Sequence, residues 1–241
     1  MRIAILSDIH SNLQALEAVL AAIGSVDAIW QLGDVVGYGP DPDAVVARLS
    51  EAGAVGVRGN HDAAVVGDIS PADFTADARL AAQWTRARIG IATRRYLAAL
   101  PEVLVPDGFE FTLVHGSPRD PIWEYLVDAR AAKENLAAFE SAYCLVGHTH
   151  VPMALRDQRH MTRLRTSPGS RIELDGRRAF LNPGSVGQPR DGDPSASYML
   201  IDTAAGFAIW QRVRYDLRAT QAAMLDAGLP PRLASRLRVG R

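Results

Sequence analysis

The chain of 241 residues contains one cysteine, Cys144, so no disulfide can form within it and nothing points to an oxidising compartment. An excess of charge of one sign is also lacking: 26 Lys and Arg stand against 27 Asp and Glu, a net charge of -1. A dedicated nucleic-acid binder would carry a basic excess, because neutralising phosphates supplies most of its affinity. Nucleic acid is therefore not an expected partner. No stretch reaches the roughly eighteen consecutive apolar residues of a membrane span. The opening MRIAILSDIHSN puts Asp8 and His10 where a signal sequence would continue its apolar core. These features lead to the expectation of a cytoplasmic protein with no membrane partner. Repeats, low-complexity tracts and linkers are missing too, so residues 1–241 read as one domain with a helical tail over 216–241.

What is present is a globular composition, 48% apolar and 22% charged, in a chain long enough for a substantial core. Residues 3–6 form an apolar run that stops at Ser7-Asp8. Leu13, Leu16, Val19, Leu20 and Ile23 then recur at helical spacing. Ser11 or Asn12 can cap that helix and Gly24 can end it. Residues 28–32 read as a strand, 42–49 as a helix and 54–57 as a third strand. Strand, helix, strand, helix, strand is the pattern of parallel strands with covering helices. Two helices are expected over 71–100, a strand at 111–114, a helix at 129–139 and a strand at 143–146. Short alternating segments follow at 171–174, 178–181, 197–201 and 207–213, separated by turn residues, and suggest a second, largely antiparallel set of strands. Residues 216–225 read as helical, and a short basic amphipathic end follows Leu229-Pro230-Pro231.

The polar clusters fall at the ends of these strands. Asp8-x-His10, Gly33-Asp34 and Gly59-Asn60-His61 each follow one, as do His115-Gly116 and Gly147-His148-Thr149-His150. In open α/β sheets the ligand site lies beyond the carboxyl ends of the strands, so these clusters should converge. Five of the six histidines belong to them, and only His160 falls outside. Taken singly, an Asp-x-His is often a turn, and Gly-Asn-His-Asp can be a left-handed turn. Five clusters together, each beside Asp, Asn or Gly, point to metal coordination by imidazole and carboxylate.

The blocks Asp8-Ile9-His10, Gly33-Asp34-Val35-Val36-Gly37-Tyr38-Gly39-Pro40, Gly59-Asn60-His61-Asp62, Val114-His115-Gly116 and Gly147-His148-Thr149-His150 resemble, in order, those of the calcineurin-like metallophosphoesterase superfamily. The segment from Asn182 to Arg190 is similar to its small stand-alone bacterial and archaeal members. The resemblance implies a metallo-dependent phosphatase-like fold: a four-layer αββα sandwich of two mixed β-sheets flanked by helices. It also implies one metal held by Asp8, His10 and His150, another by Asn60, His115 and His148, and Asp34 bridging both. A shared carboxylate suits two cations about 3.5–4 Å apart, the spacing for in-line phosphoryl displacement. The ions expected are divalent transition metals, manganese first, with iron, zinc, nickel and cobalt compatible with N/O ligation. The expected partner is a small phosphate ester, and the expected reaction is hydrolysis of a phosphomonoester or phosphodiester by a hydroxide between the metals. A non-catalytic protein-interaction scaffold and a nuclease are the alternatives.

The same resemblance makes His61 a catalytic residue facing the leaving-group oxygen. Asp62 would fix the His61 tautomer, or else favour a helix N-terminus. Arg58 and Arg190 are candidate phosphate clamps or surface ion-pair residues, and Arg190 is the better clamp because its segment is turn-rich. Tyr38, Trp123 and Tyr125 are candidate contacts for the organic part of a substrate, or packing anchors. Cys144 reads as core, His160 as a solvated loop residue, and the basic segments 214–218 and 232–241 as exposed helix faces.

Overall fold

The computed structural model describes residues 1–241. In chain order the elements are β1 (Arg2–Leu6), α1 (Leu13–Ile23), β2 (Ala28–Leu32), α2 (Pro42–Glu51), β3 (Val55–Val57), α3 (Asn60–Val66), α4 (Ala76–Arg88) and α5 (Ile91–Ala99). They continue with β4 (Val103–Leu104), β5 (Phe111–Val114), α6 (Ala129–Asn135), β6 (Tyr143–Leu145), β7 (Met153–Asp157), β8 (Met161–Arg163), β9 (Arg171–Glu173) and β10 (Ala179–Asn182). β11 (Ala196–Asp202), β12 (Phe207–Val213), α7 (Leu217–Asp226) and α8 (Pro231–Leu237) complete the chain.

Two six-stranded sheets result, ordered β3-β2-β1-β11-β12-β9 and β4-β5-β6-β10-β7-β8. β1, β2 and β3 run parallel, with Ile3 opposite Ala28 and Trp30 opposite Val55, and β11 joins β1 antiparallel with Met199 opposite Ile5. In the second sheet β5, β6 and β10 are parallel and β7 pairs antiparallel with β10. The late strands are thus not a separate set, contrary to the sequence expectation. β9, β11 and β12 extend the first sheet, while β10 lies parallel to β6 in the second. Alternation of apolar residues fixes which face of a strand is buried but not which neighbour it pairs with.

The pleat builds the layers, because successive side chains point to opposite faces. Ile3, Ile5, Leu113, Leu145, Leu181, Met199 and Trp210 fill the space between the sheets. Ala4 and Leu6 face the other way, into a cluster with Leu16, Val19 and Leu49 of the first helical layer. Val114, Cys144, Val146 and Phe180 meet Ala132 of α6 on the outer face of the second sheet. The result is helix, sheet, sheet, helix, a four-layer sandwich of two mixed sheets. Full burial of each such side chain contributes about 1.5–3 kcal/mol. Asn12 starts α1 by accepting a hydrogen bond from the Ala15 amide. Cys144 is fully buried, and that burial raises its thiol pKa and keeps it inert. His160 is exposed in a turn.

Candidate metal centre

The loops that leave β1, β2, β3, β5 and β6 meet at one edge of the sandwich, and backbone hydrogen bonds lace them together. The amides of Asp8, His10 and Ser11 donate to the carbonyls of Gly33, Asp34 and Val35 at 3.1, 3.0 and 3.0 Å. The Gly187 amide donates to the Asp8 carbonyl at 3.0 Å, and the Gly147 amide to His115 at 2.8 Å. This lacing requires unusual backbone. Seven non-glycine residues have positive φ, and all belong to these loops: Asp8, His10, Ser11, Asp34, Tyr38, His148 and His150, at 51° to 64°. A non-glycine residue there costs of order 1–3 kcal/mol and persists where its surroundings hold it. Gly59 is needed for close approach, since a Cβ would overlap the Asp34 carboxylate.

Two ligand groups result, and Asp34 is common to both: Asp8, His10, Asp34 and His150 in one, Asp34, His115 and His148 in the other. All six are buried. His10 Nε2 lies 3.0 Å from His150 Nε2 and 3.6 Å from Asp34 Oδ2, and His150 Nε2 lies 3.3 Å from Asp8 Oδ1. On the other side His115 Nε2 is 3.4 Å from Asp34 Oδ2, 3.1 Å from His148 Nδ1 and 3.2 Å from Asn60 Oδ1. The outward nitrogens are occupied: Nδ1 of His10, His115 and His150 face the carbonyls of Val36, Leu32 and Gln188 at 3.1, 2.8 and 2.6 Å. A carbonyl can only accept, so each Nδ1 carries the proton, and wherever the ring is neutral a bare Nε2 turns inward.

Electrostatics keep His10 and His150 in that neutral form. Burial drives the protonation of His10 and His150 well below the usual imidazole range and lowers His148 to about 3. Two neutral rings whose bare nitrogens face each other at 3.0 Å repel unless a cation lies between them. Burial raises the Asp8 carboxyl to about 7, and its Oδ1 has no hydrogen-bond partner. Burial also opposes charge on Asp34, but His115 and His61 outweigh it and hold this carboxyl well below its ordinary value. Burial disfavours protonation of His115, yet Asp34 lifts it to about 9, and a cation at its Nε2 competes for that site. Carboxylate and imidazole donors, a shared carboxylate and bare inward nitrogens fit two divalent transition ions.

The remaining site residues separate into those on the centre and those away from it. His61 is buried, its amide donates to Asp34 Oδ1 at 2.9 Å, and its Nδ1 has no hydrogen-bond partner. Its ring packs against Tyr38 and Phe74, with centroids 4.4 and 4.7 Å away, and burial lowers its pKa to about 4. Asp62 does not touch that ring. Its carboxylate accepts from the amides of Gly59, Val36 and Val35 at 2.9, 3.0 and 3.3 Å, capping α3 and fastening the β2 loop to it. A role in fixing the His61 tautomer is thereby corrected. Arg58 is corrected as well, because its guanidinium pairs with Asp68 and Glu102 away from the centre. Arg190 instead lines the cavity over the centre, about 370 Å³, together with Tyr38, His61, Trp123 and Tyr125. Its Nη2 donates to Tyr38 Oη at 3.3 Å and to Gln188 Oε1 at 2.9 Å. Tyr125 stacks on His148 with centroids 3.9 Å apart. Sequence reasoning missed Phe74 and Arg236, which share this lining. No motif surrounds either residue, and Arg236 lies in the basic tail that reads as an exposed helix face.

The calcineurin-like phosphoesterase superfamily domain matches residues 1–206. A protein of Methanocaldococcus jannaschii is 35% identical over 245 residues, which cover 99% of this chain and 98% of that protein. Phosphodiesterase YfcE of Escherichia coli is 31% identical over 215 residues, 84% of this chain and 88% of the relative. Among solved structures, a metallophosphoesterase from Sphaerobacter thermophilus matches with a TM-score of 0.92 at 44% identity, with 100% of both chains covered.

Proposed function

Since the chain belongs to the calcineurin-like phosphoesterase superfamily, we propose that it hydrolyses small phosphate esters at a dinuclear metal centre, with phosphodiesters as the first class to test. The observation that carries this reading is the pair of bare Nε2 atoms of His10 and His150, 3.0 Å apart between the Asp8 and Asp34 carboxylates. Asp8, His10 and His150 would hold one ion, Asn60, His115 and His148 the other, and Asp34 both. Bound there, manganese or a neighbouring transition metal supplies Lewis acidity and a water acidic enough to be a nucleophile near neutral pH.

The chain's own residues do the rest. Arg190 and Tyr38 bind the phosphoryl oxygens, Arg190 through its guanidinium fork. His61 is held by its backbone on Asp34 and by its ring between Tyr38 and Phe74. Burial keeps this ring neutral at pH 7, and its N–H then stabilises the charge developing on the leaving-group oxygen. Asp62 positions the loops without meeting substrate. Trp123 and Tyr125 flank the organic group. A cytoplasmic location accords with the one thiol, Cys144, being free and buried.

The test combines metal analysis with turnover of an aryl phosphodiester and an aryl phosphomonoester. Wild type should bind two ions and turn over at least one ester. Asp34→Asn should lose metal and activity together. His61→Ala should keep both ions and lose about 10²–10⁴-fold in kcat, the range for a proton-donating group. A metal-loaded wild type that is inert across a broad ester panel would make this a non-catalytic binding protein.

A further inference from the structure

Beyond the segment that matches the superfamily, the C-terminal tail folds back over the metal centre. Leu229, Leu233 and Leu237 repeat every four residues and are buried in the first helical layer beside Met224. Arg232 and Arg236 share the same spacing and therefore another face of α8. The end of the tail is fixed to the loop that carries Arg190, since the Gly192 amide donates to the Gly240 carbonyl at 2.9 Å. Arg236 is held at the rim of the cavity that contains His61 and Arg190. It also lines an adjoining cavity with Arg232, Arg241 and Thr75.

The charges in this region are unbalanced. Arg58, Arg119, Arg156 and Arg212 all pair with carboxylates. Arg190 and Arg236 have no Asp or Glu partner: Arg190 hydrogen-bonds with Tyr38 and Gln188, and Arg236 Nε is held by the main-chain oxygen of the last residue, Arg241. The Nε of Arg190 is buried with no partner at all. Apart from the metal centre, the only side-chain carboxylates on the two cavities are those of Asp73, which is exposed, and Asp77, which is half-buried. Partial burial and the like charge of Arg190 both disfavour the charged form of Arg236. Two guanidinium groups without an Asp or Glu partner, both lining the cavity over one reaction centre, suit an anion longer than one phosphate.

We propose that the substrate carries a second phosphate beyond the scissile one, and that Arg236 of the C-terminal helix is the specificity-determining residue that binds it. This rests on the phosphoesterase reading above. Arg190 takes the scissile group, Arg236 the remote phosphate, and the walls formed by Phe74, Trp123 and Tyr125 enclose the organic part of the substrate. The tail then selects among phosphate esters, while the loops around the metals perform the reaction.

A matched pair of substrates tests this: the nitrophenyl ester of thymidine 5′-phosphate with and without a 3′-phosphate. Metal-loaded wild type should favour the doubly phosphorylated ester in kcat/KM. Arg236→Ala should cut that preference about tenfold or more, mainly through KM, the scale of one lost charge-assisted hydrogen bond. Arg236→Lys should restore part of it. Arg238→Ala removes the same charge from an exposed position on the tail and should leave the preference unchanged. Isothermal calorimetry with thymidine 3′,5′-bisphosphate against the 5′-monophosphate should show the same loss in Arg236→Ala. Turnover of both esters with a preference that Arg236→Ala does not move, or moves no more than Arg238→Ala, overturns the proposal alone. An enzyme that hydrolyses neither ester and is inert on the aryl esters above overturns the phosphoesterase reading and this proposal with it. Where only an aryl monoester is turned over, a calorimetric preference for the bisphosphate that is absent in wild type or unchanged in Arg236→Ala overturns the proposal alone.

Discussion

Gly37→Ala would displace His61, the proposed leaving-group residue, without removing any of its atoms. Gly37 has φ +92°, and a Cβ built there would overlap Nδ1 of His61 and lie 2.9 Å from its Cγ. Ordinary contact begins at 3.4 Å, so the ring must retreat by roughly 1 Å, and displacements of that size can cost about 10²-fold in rate. The retreat is obstructed, because Tyr38, Phe74 and His10 surround the ring at centroid distances of 4.4, 4.7 and 5.0 Å. Backbone strain adds about 1–3 kcal/mol, equivalent to a Tm loss of roughly 2–12 °C for a chain of this size. Gly24→Ala is the control, since Gly24 also has positive φ, at +61°, but nothing lies within 4 Å of its Cβ position. Both variants should melt lower than wild type. Only Gly37→Ala should lose kcat on an aryl phosphodiester, about 10²-fold, with both metal ions retained. A folded Gly37→Ala enzyme with wild-type kcat would refute the placement of His61 at the reacting bond.

Two further perturbations probe the scaffold. Asn182 Nδ2 donates to the Gly147 carbonyl at 2.8 Å and to Thr149 Oγ1 at 3.1 Å, fixing the loop that carries His148 and His150. Asn182→Ala should weaken metal affinity about 10–100-fold, as loss of a supporting hydrogen bond does at metal sites; unchanged affinity in a chelator titration would contradict this. Glu124 is held down to about 2 by Arg119, with help from Ser117 and Asn135. Its folded-state pKa is below its unfolded one, so its contribution is fully present above about pH 4.5 and disappears as pH falls towards 2. Glu124→Gln should therefore flatten the acid limb of stability against pH in that window, and an unaltered limb would show that the cluster contributes nothing.

Much of this was legible in the sequence because each candidate ligand sits where a strand stops or just beyond it. Short apolar runs ending at polar clusters located β1, β2, β5 and β6 closely, and the residues after them are the ones that converge. Pairing of the later strands was not legible, since Phe180 and Met199 are equally apolar and only the packed sheets decide that β10 joins β6 while β11 joins β1. Side-chain direction was not legible either. Arg58 and Arg190 have the same chemistry, but Glu102 and Asp68 draw one outward, and Tyr38 and Gln188 hold the other over the cavity. Asp62 adjoins His61 in sequence, yet consecutive residues on a helix face different ways, and its carboxylate turns to backbone amides. Arg236 reaches the centre through tertiary packing of the tail, for which the sequence carries only an amphipathic repeat.

Under the proposed dinuclear reading, the construction of the centre would make bound metal ions part of the fold's stability. Seven left-handed non-glycine residues store strain, and the Asp8 and Asp34 carboxylates are buried beside inward-facing imidazole nitrogens. The protein scaffold holds this arrangement, and bound cations relieve the repulsion between the facing donors. Binding at a concentration about a hundredfold above Kd stabilises by about 2.7 kcal/mol per site, and each kcal/mol moves Tm by about 2–4 °C in a chain of this size. Removing both ions with a chelator should then lower Tm by at least 10 °C or so, and re-adding Mn²⁺ should restore it. Asp34→Asn should melt near the chelated wild type and gain little from added metal, because the shared carboxylate belongs to both ligand groups. A Tm that neither chelator nor metal moves, in a protein shown to bind two ions, would mean that the ions do not relieve repulsion between the facing nitrogens of His10 and His150.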